Sequence, residues 1–290
     1  MANFKRLYFL AVAIAMLVAC ESESLDHTKM VVEGWIDAGK HPVVMLHTSY
    51  SLDASRDPDN TKLLEVLAEH MVLFGKVLIF DGEDSVILTG RMDTNYLPPY
   101  IYTTTKIIGE PGRTYSLHAT YKEYDVRSQT QIPEEVATFD SIRVMESYDK
   151  LNIIGYAHNL EPGAPYILMA RTTNQRQYKI CPTGAFRAKG QHMAITVNNP
   201  IDFTGQGAML QTLFPKTDSV GVSIKFARIG ETEFLMWDSY IAQNMTQGLF
   251  FMETHSNIHS NIEGGNGYWC GMGGSEYIIS LNKGGLYVFH

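Results

Sequence analysis

Apolar and polar positions alternate with period two along most of this chain, in short runs bounded by turn residues. Residues 29–36 and 42–50 read as strands, separated by Asp37-Ala38-Gly39-Lys40, a hairpin-type turn. Residues 75–80 and 85–89 flank Asp81-Gly82, a second hairpin signal. Strands are also predicted over 100–105, 113–121 and 126–132, with a turn at Gly109-Glu110-Pro111-Gly112. Residues 62–69 have room for one or two helical turns. After Pro133-Glu134-Glu135 a second β set opens at 139–144 and continues at 152–159, 165–172, 193–197, 220–227 and 276–289. The period changes to that of a helix only over 232–243, where apolar residues recur every three or four positions and Thr232 is positioned to cap.

Short strands with frequent turns and little helix predict a mainly β protein of two β-sandwich-like domains. The expected division is residues 29–135 for an N-terminal β-sandwich and 136–290 for a C-terminal β domain with the helix near 232–243. No internal repeat is visible.

The first nineteen residues follow a different pattern. Lys5 and Arg6 precede an apolar, small-residue run from Leu7 to Ala19, the composition of an export signal peptide. That run is short for a transmembrane helix, which needs about 20 apolar residues. It ends in Leu17-Val18-Ala19-Cys20, which resembles a bacterial lipobox. The resemblance implies cleavage after residue 19, lipidation (palmitate among the chains) of Cys20, and a polar tether over 20–28. More than one acyl chain is needed for firm anchoring.

Composition narrows the function classes. A hydrophobic content of 45% suits a folded body, and a net charge of −8 argues against nucleic acid and anionic lipid as electrostatic partners. With Cys20 assigned to lipid, Cys181 and Cys270 remain, and an exported chain makes them candidates for one disulfide. Two free thiols, or half of a metal site, are the alternatives.

Several local strings occur together: Val31-Val32-Glu33-Gly34-Trp35, the unit around Asp81-Gly82, residues 109–117, Phe139-Asp140-Ser141-Ile142, and residues 260–267. Their order resembles a family of outer-membrane lipoproteins of unknown function from Bacteroidota, commonly encoded beside TonB-dependent receptors. The first half also resembles the transthyretin-like or carboxypeptidase-regulatory β-sandwich. The resemblance implies a lipid-anchored, non-enzymatic accessory or binding component of TonB-dependent nutrient uptake, with a receptor as partner. Acidic Glu21 and Glu23 after the cysteine resemble a signal for cell-surface display. An adhesion or structural module, and a hydrolase with an unrecognised site, are the competing functions.

Candidate chemistry is sparse. Gly264, Gly265, Gly267, Tyr268 and Trp269 form the most unusual string, with a structural loop as the bland reading and a binding loop as the functional one. Glu253, His255 and His259 have ligand-like spacing but no H-E-x-x-H order. Asp53, Asp57, Asp59 and Asn60 lack the spacing of a calcium loop. Ser147-Tyr148-Asp149-Lys150 matches S-x-x-K without its companion motifs. No metal, cofactor or catalytic residue is therefore expected.

Overall fold

The computed structural model describes residues 28–49, 65, 68–148, 150–173, 178–200, 213–215, 221–246, 258–282 and 285–289. The expected signal peptide, Cys20 and its tether up to residue 27 lie outside these, as do the Asp53–Asn60 group, Glu253 and His255.

One strand organises the molecule. β16 (Asn266–Asn282) runs for 17 residues and serves two sandwiches in succession. Its first part, residues 266–272, pairs in parallel with β1 (Met30–Asp37). Its second part, residues 273–280, pairs antiparallel with β15 (Gly221–Arg228). The resulting nine-stranded sheet has the order β12-β11-β15-β16-β1-β2-β6-β5, with β17 (Gly285–Phe289) also on β16. Here β2 is Val43–Thr48, β5 Thr89–Met92, β6 Tyr100–Thr103, β11 Pro165–Thr172 and β12 Lys179–Arg187.

Two smaller sheets pack on one face of this large one. The sheet β4-β3-β7-β8 is built from β3 (Lys76–Phe80), β4 (Ser85–Ile87), β7 (Thr114–Tyr121) and β8 (Tyr124–Gln131). With β1, β2 and β6 it encloses a core of Val32, Leu46, Ile79, Leu117, Val126 and the fully buried Trp269. The other small sheet pairs β10 (Lys150–Ala157) with β9 (Ser141–Ser147), β13 (Met193–Val197) and β14 (Phe214–Pro215). With β11 and β15 it encloses Leu151, Ile153, Leu168, Ile224 and Phe226, and the Phe139 and Phe226 rings stack at 4.4 Å. The mainly β, sandwich-like class read from the sequence is therefore the class observed. The cores part between Ile132 and Ala137, yet Ile262 and Trp269 from the late chain complete the first one.

The helix α1 (Glu231–Thr246) lies on the opposite face of the large sheet. Met236, Trp237 and Ile241 cover Ile167, Met169, Cys270 and Met272 there. It begins one residue before Thr232, because Gly230 supplies the first helical acceptor, to the Phe234 amide at 3.0 Å.

Gly271 and Gly273 are explained by a crossing. The segment joining the sandwiches passes directly over β16, and the Ala137 amide donates to Gly273 O at 2.9 Å. A Cβ on Gly271 would lie 2.6 Å from the Gln131 carbonyl oxygen, and one on Gly273 would lie 2.9 Å from that of Glu135; at Gly274 the close neighbour is β15 instead, with Phe226 O 2.3 Å away. Only a residue without a side chain lets backbone approach backbone this closely.

Candidate functional site

Two clusters of polar side chains stand out, one open and one closed. The open one lies on the outer face of the β4-β3-β7-β8 sheet, whose alternation turns Leu78, Phe80, Ser116, His118, Arg127 and Gln129 away from the core. Together with Ser85, Asn261 and Glu263 they line a groove of about 660 Å³. Asp125, beside the groove on β8, holds two of its lining side chains. His118 Nε2 lies 3.1 Å from both carboxylate oxygens, and Arg127 Nε donates to Oδ1 at 3.2 Å. These contacts, His118 first, hold the Asp125 carboxyl below its ordinary range. Phe80 is 43% exposed and Ile87 59%, so apolar surface sits beside exchangeable donors and acceptors. Such a surface suits an extended ligand with polar groups on one side and an apolar face on the other.

The segment after residue 258 builds one wall. Arg127 and Glu263 exchange backbone hydrogen bonds, 3.0 and 2.8 Å long. The Asn261 amide nitrogen donates to Trp269 O, and its oxygen accepts from the Trp269 amide. Asn261 thus stands in for a strand neighbour at the start of β16.

The closed cluster lies on the helix-bearing face of the large sheet, where the sandwiches meet. Lys225 on β15 and Asp37 on β1 are each 5% exposed, and Lys225 Nζ donates to Asp37 Oδ2 at 2.6 Å. Glu276 on β16 lies 3.6 Å from the same nitrogen and 2.6 Å from Lys40 Nζ. The Tyr178 ring sits 5.3 Å from Lys225 Nζ and takes the Arg171 guanidinium at 4.9 Å. Burial opposes the charge on Lys225, but Asp37 and Glu276 outweigh it and hold the amine above its usual value. Burial likewise raises Glu276, but Lys225 and Lys40 draw it below the usual carboxyl range. Asp37 Oδ1 is buried without a hydrogen-bond partner among the described residues.

A third polar link joins the parts. The Gly271 amide donates to Thr130 Oγ1 at 2.7 Å, and that hydroxyl donates to Glu233 Oε1 at 2.7 Å. One short chain therefore connects β16, β8 and α1. Glu233 is 5% exposed, and burial raises its carboxyl above the ordinary value.

The residues singled out from sequence are distributed differently. Gly264, Gly265 and Gly267 form the turn into β16 and the strand's beginning. Tyr268 packs on Trp237, with ring centroids 4.9 Å apart. Trp269 is fully buried and its Nε1 donates to Tyr115 O at 3.0 Å. The expected binding loop is corrected to a core strand with its turn, since the indole is needed inside the first sandwich. The expected Cys181–Cys270 disulfide is also corrected. Both thiols are free and buried, Cys181 in the core under the second small sheet and Cys270 beneath α1, on opposite faces of the large sheet. Burial pushes both thiols up, so neither is a ready nucleophile. The His259 amide donates to Ser239 Oγ. Among the described residues, no three His, Cys, Asp or Glu side chains are placed to share a metal, and no helix is long and apolar enough to cross a membrane.

Residues 18–277 match a family described as a domain of unknown function, DUF4249. The chain belongs to that family. A comparison with curated proteins finds none that matches it. The family description assigns no activity, so among the described residues of this DUF4249 chain chemistry is argued from the groove and from the seam where the sandwiches meet.

Sequence reading passed over both. Lys225 sits in the run Gly221–Arg228 as an ordinary alternating polar position, and only the register places it opposite Glu276. A lysine flanked by Ile224 and Phe226, in a strand with apolar residues on both faces, was the available signal.

Proposed function

We propose that this protein is an outer-membrane lipoprotein of a Bacteroidota-type cell, anchored by lipid on Cys20 and displayed at the cell surface. There it acts as a non-enzymatic binding accessory of TonB-dependent nutrient uptake. The lipobox-like Leu17–Cys20, placed where the apolar run of the export signal stops, is the observation that carries the reading. Lipid at this position and a polar tether to residue 28 leave the folded body beside the membrane, free to dock on a transporter. The groove over β3, β7 and β8 supplies a surface with both polar and apolar character for cargo or receptor.

The test has two arms. Palmitate labelling should mark the wild-type chain and be lost in Cys20→Ser; equal labelling of both would remove the anchor from the reading. Affinity capture of a tagged, membrane-extracted copy should recover a TonB-dependent receptor. Repeated capture without one would overturn the uptake role, and loss of surface attachment on deletion with unchanged growth would favour adhesion instead.

A further inference from the structure

We propose that Lys225 and Asp37 condense to an intramolecular isopeptide bond that covalently ties β15 of the second sandwich to β1 of the first. This goes beyond the proposed function and does not depend on it. The geometry is that of reactants held in contact. The two side chains are nine-tenths buried, 2.6 Å apart, and project from the same face of the large sheet. Their strands flank β16, so the pair must span the strand between them. Gly274 of that strand, which has no side chain, helps line the small crevice where they meet. Fixing both groups in this way replaces an encounter in solution by an effectively unimolecular step.

The atoms balance without any oxidant or co-reactant. The ammonium of Lys225 carries three protons and the carboxylate of Asp37 none. One proton passes along the 2.6 Å hydrogen bond to the carboxylate, leaving a neutral amine and a carboxylic acid. The amine lone pair attacks Asp37 Cγ and the C–N bond forms. Glu276, 3.6 Å from Nζ, takes the second proton and passes it to the departing hydroxyl. The C–O bond breaks, water leaves, and the third proton remains on the amide nitrogen.

Two observations favour the linked product over a resting ion pair. Asp37 Oδ1 is buried and has no donor among the described residues, a costly setting for an ionised carboxylate. Condensation removes both charges and one of the two oxygens. The crevice beside the pair, lined by Lys40, Met272 and Gly274, has a volume of about 10 Å³, room for one water molecule at most. Solvent is therefore too scarce around the linkage to reverse the reaction readily.

Tryptic mapping of the full-length protein tests the bond directly. Trypsin does not cleave after an amidated lysine, so residues 30–40 should emerge joined to residues 217–228, lighter than their sum by one water. Recovery of a free 30–40 peptide and of cleavage after Lys225 as the main products would overturn the proposal, leaving an ordinary buried ion pair. Lys225→Arg should yield the 30–40 peptide unlinked. Glu276→Gln should leave most chains unlinked while circular dichroism stays that of wild type. Linkage at wild-type yield in that variant would overturn the proton relay through Glu276.

Discussion

The groove and the seam use the same materials in opposite surroundings. In each, a carboxylate is held by basic side chains: Asp125 by His118 and Arg127, Asp37 by Lys225 with Lys40 and Glu276 close by. The groove's charged side chains are 39–63% exposed, whereas those of Lys225 and Asp37 are 6% and 7% exposed. Exposed pairs gain little, because water competes for each partner and the side chains lose freedom in meeting. A buried pair has no such alternative, and losing one partner strands the other. The groove is therefore free to exchange its partners for a ligand, while the seam is committed to holding two sandwiches together.

The largest effect should come from breaking the seam. Asp37→Ala leaves the Lys225 nitrogen in a buried site with Glu276 at 3.6 Å as its nearest carboxylate. The expected loss is about 3–5 kcal/mol of unfolding free energy, the cost of leaving one member of a buried pair unmatched. Urea denaturation measures it. A loss under about 1 kcal/mol would mean that water reaches Lys225 freely, and the contrast with the groove would fail.

How much of this was legible in the sequence depended on the range of the interaction. The strands at 165–172 and 193–197 are local patterns, and their observed bounds, Pro165–Thr172 and Met193–Val197, match those read from alternation. The helix too was visible, because its period is a property of adjacent turns. The strand over Lys179–Arg187 was missed, since Pro182 and Gly184 interrupt its pattern and its pairing with β11 shifts register. The first ten residues of β16 read as a loop because Gly271 and Gly273 answer to the backbone crossing above them, and Gly267 and Gly274 to the strands beside them. Nothing local marks that crossing. The same holds for both sites. Asp37, Lys225 and Glu276 are spread over most of the chain, and only the pairing of β16 with β1 on one side and β15 on the other brings them together.

Glu233 lies between the two extremes, buried but held by neutral donors, the Thr130 hydroxyl and its own backbone amide. Its folded carboxyl titrates above the ordinary value because of burial, with the Thr130 hydrogen bond opposing. Well below the ordinary carboxyl range both folded and unfolded states carry the proton, and the group contributes no pH dependence. As pH rises the unfolded chain loses its proton first, so stability falls until the folded carboxyl also ionises. Glu233→Gln keeps an oxygen for the Thr130 hydroxyl and removes this penalty. The variant should gain on the wild type by on the order of 1 kcal/mol at neutral pH. That advantage should shrink as the pH is lowered through the carboxyl range. Urea midpoints measured across pH check it; a difference independent of pH would mean that Glu233 is as well solvated as the groove carboxylate.

The smallest effect on stability should come from the groove, and that is where the comparison is sharpest. Arg127→Ala removes an exposed cation from Asp125, but the Arg127 backbone still exchanges both hydrogen bonds with Glu263. His118 still faces the same carboxylate. The cost should stay within about 0.5 kcal/mol, as for a surface substitution. If the groove is the contact surface for cargo or receptor, the same variant should weaken that capture markedly without moving the urea midpoint. An Arg127→Ala protein that unfolds much more easily would place Asp125 with Asp37 among the structural carboxylates. One that keeps both its stability and its capture would move the contact surface elsewhere on the body.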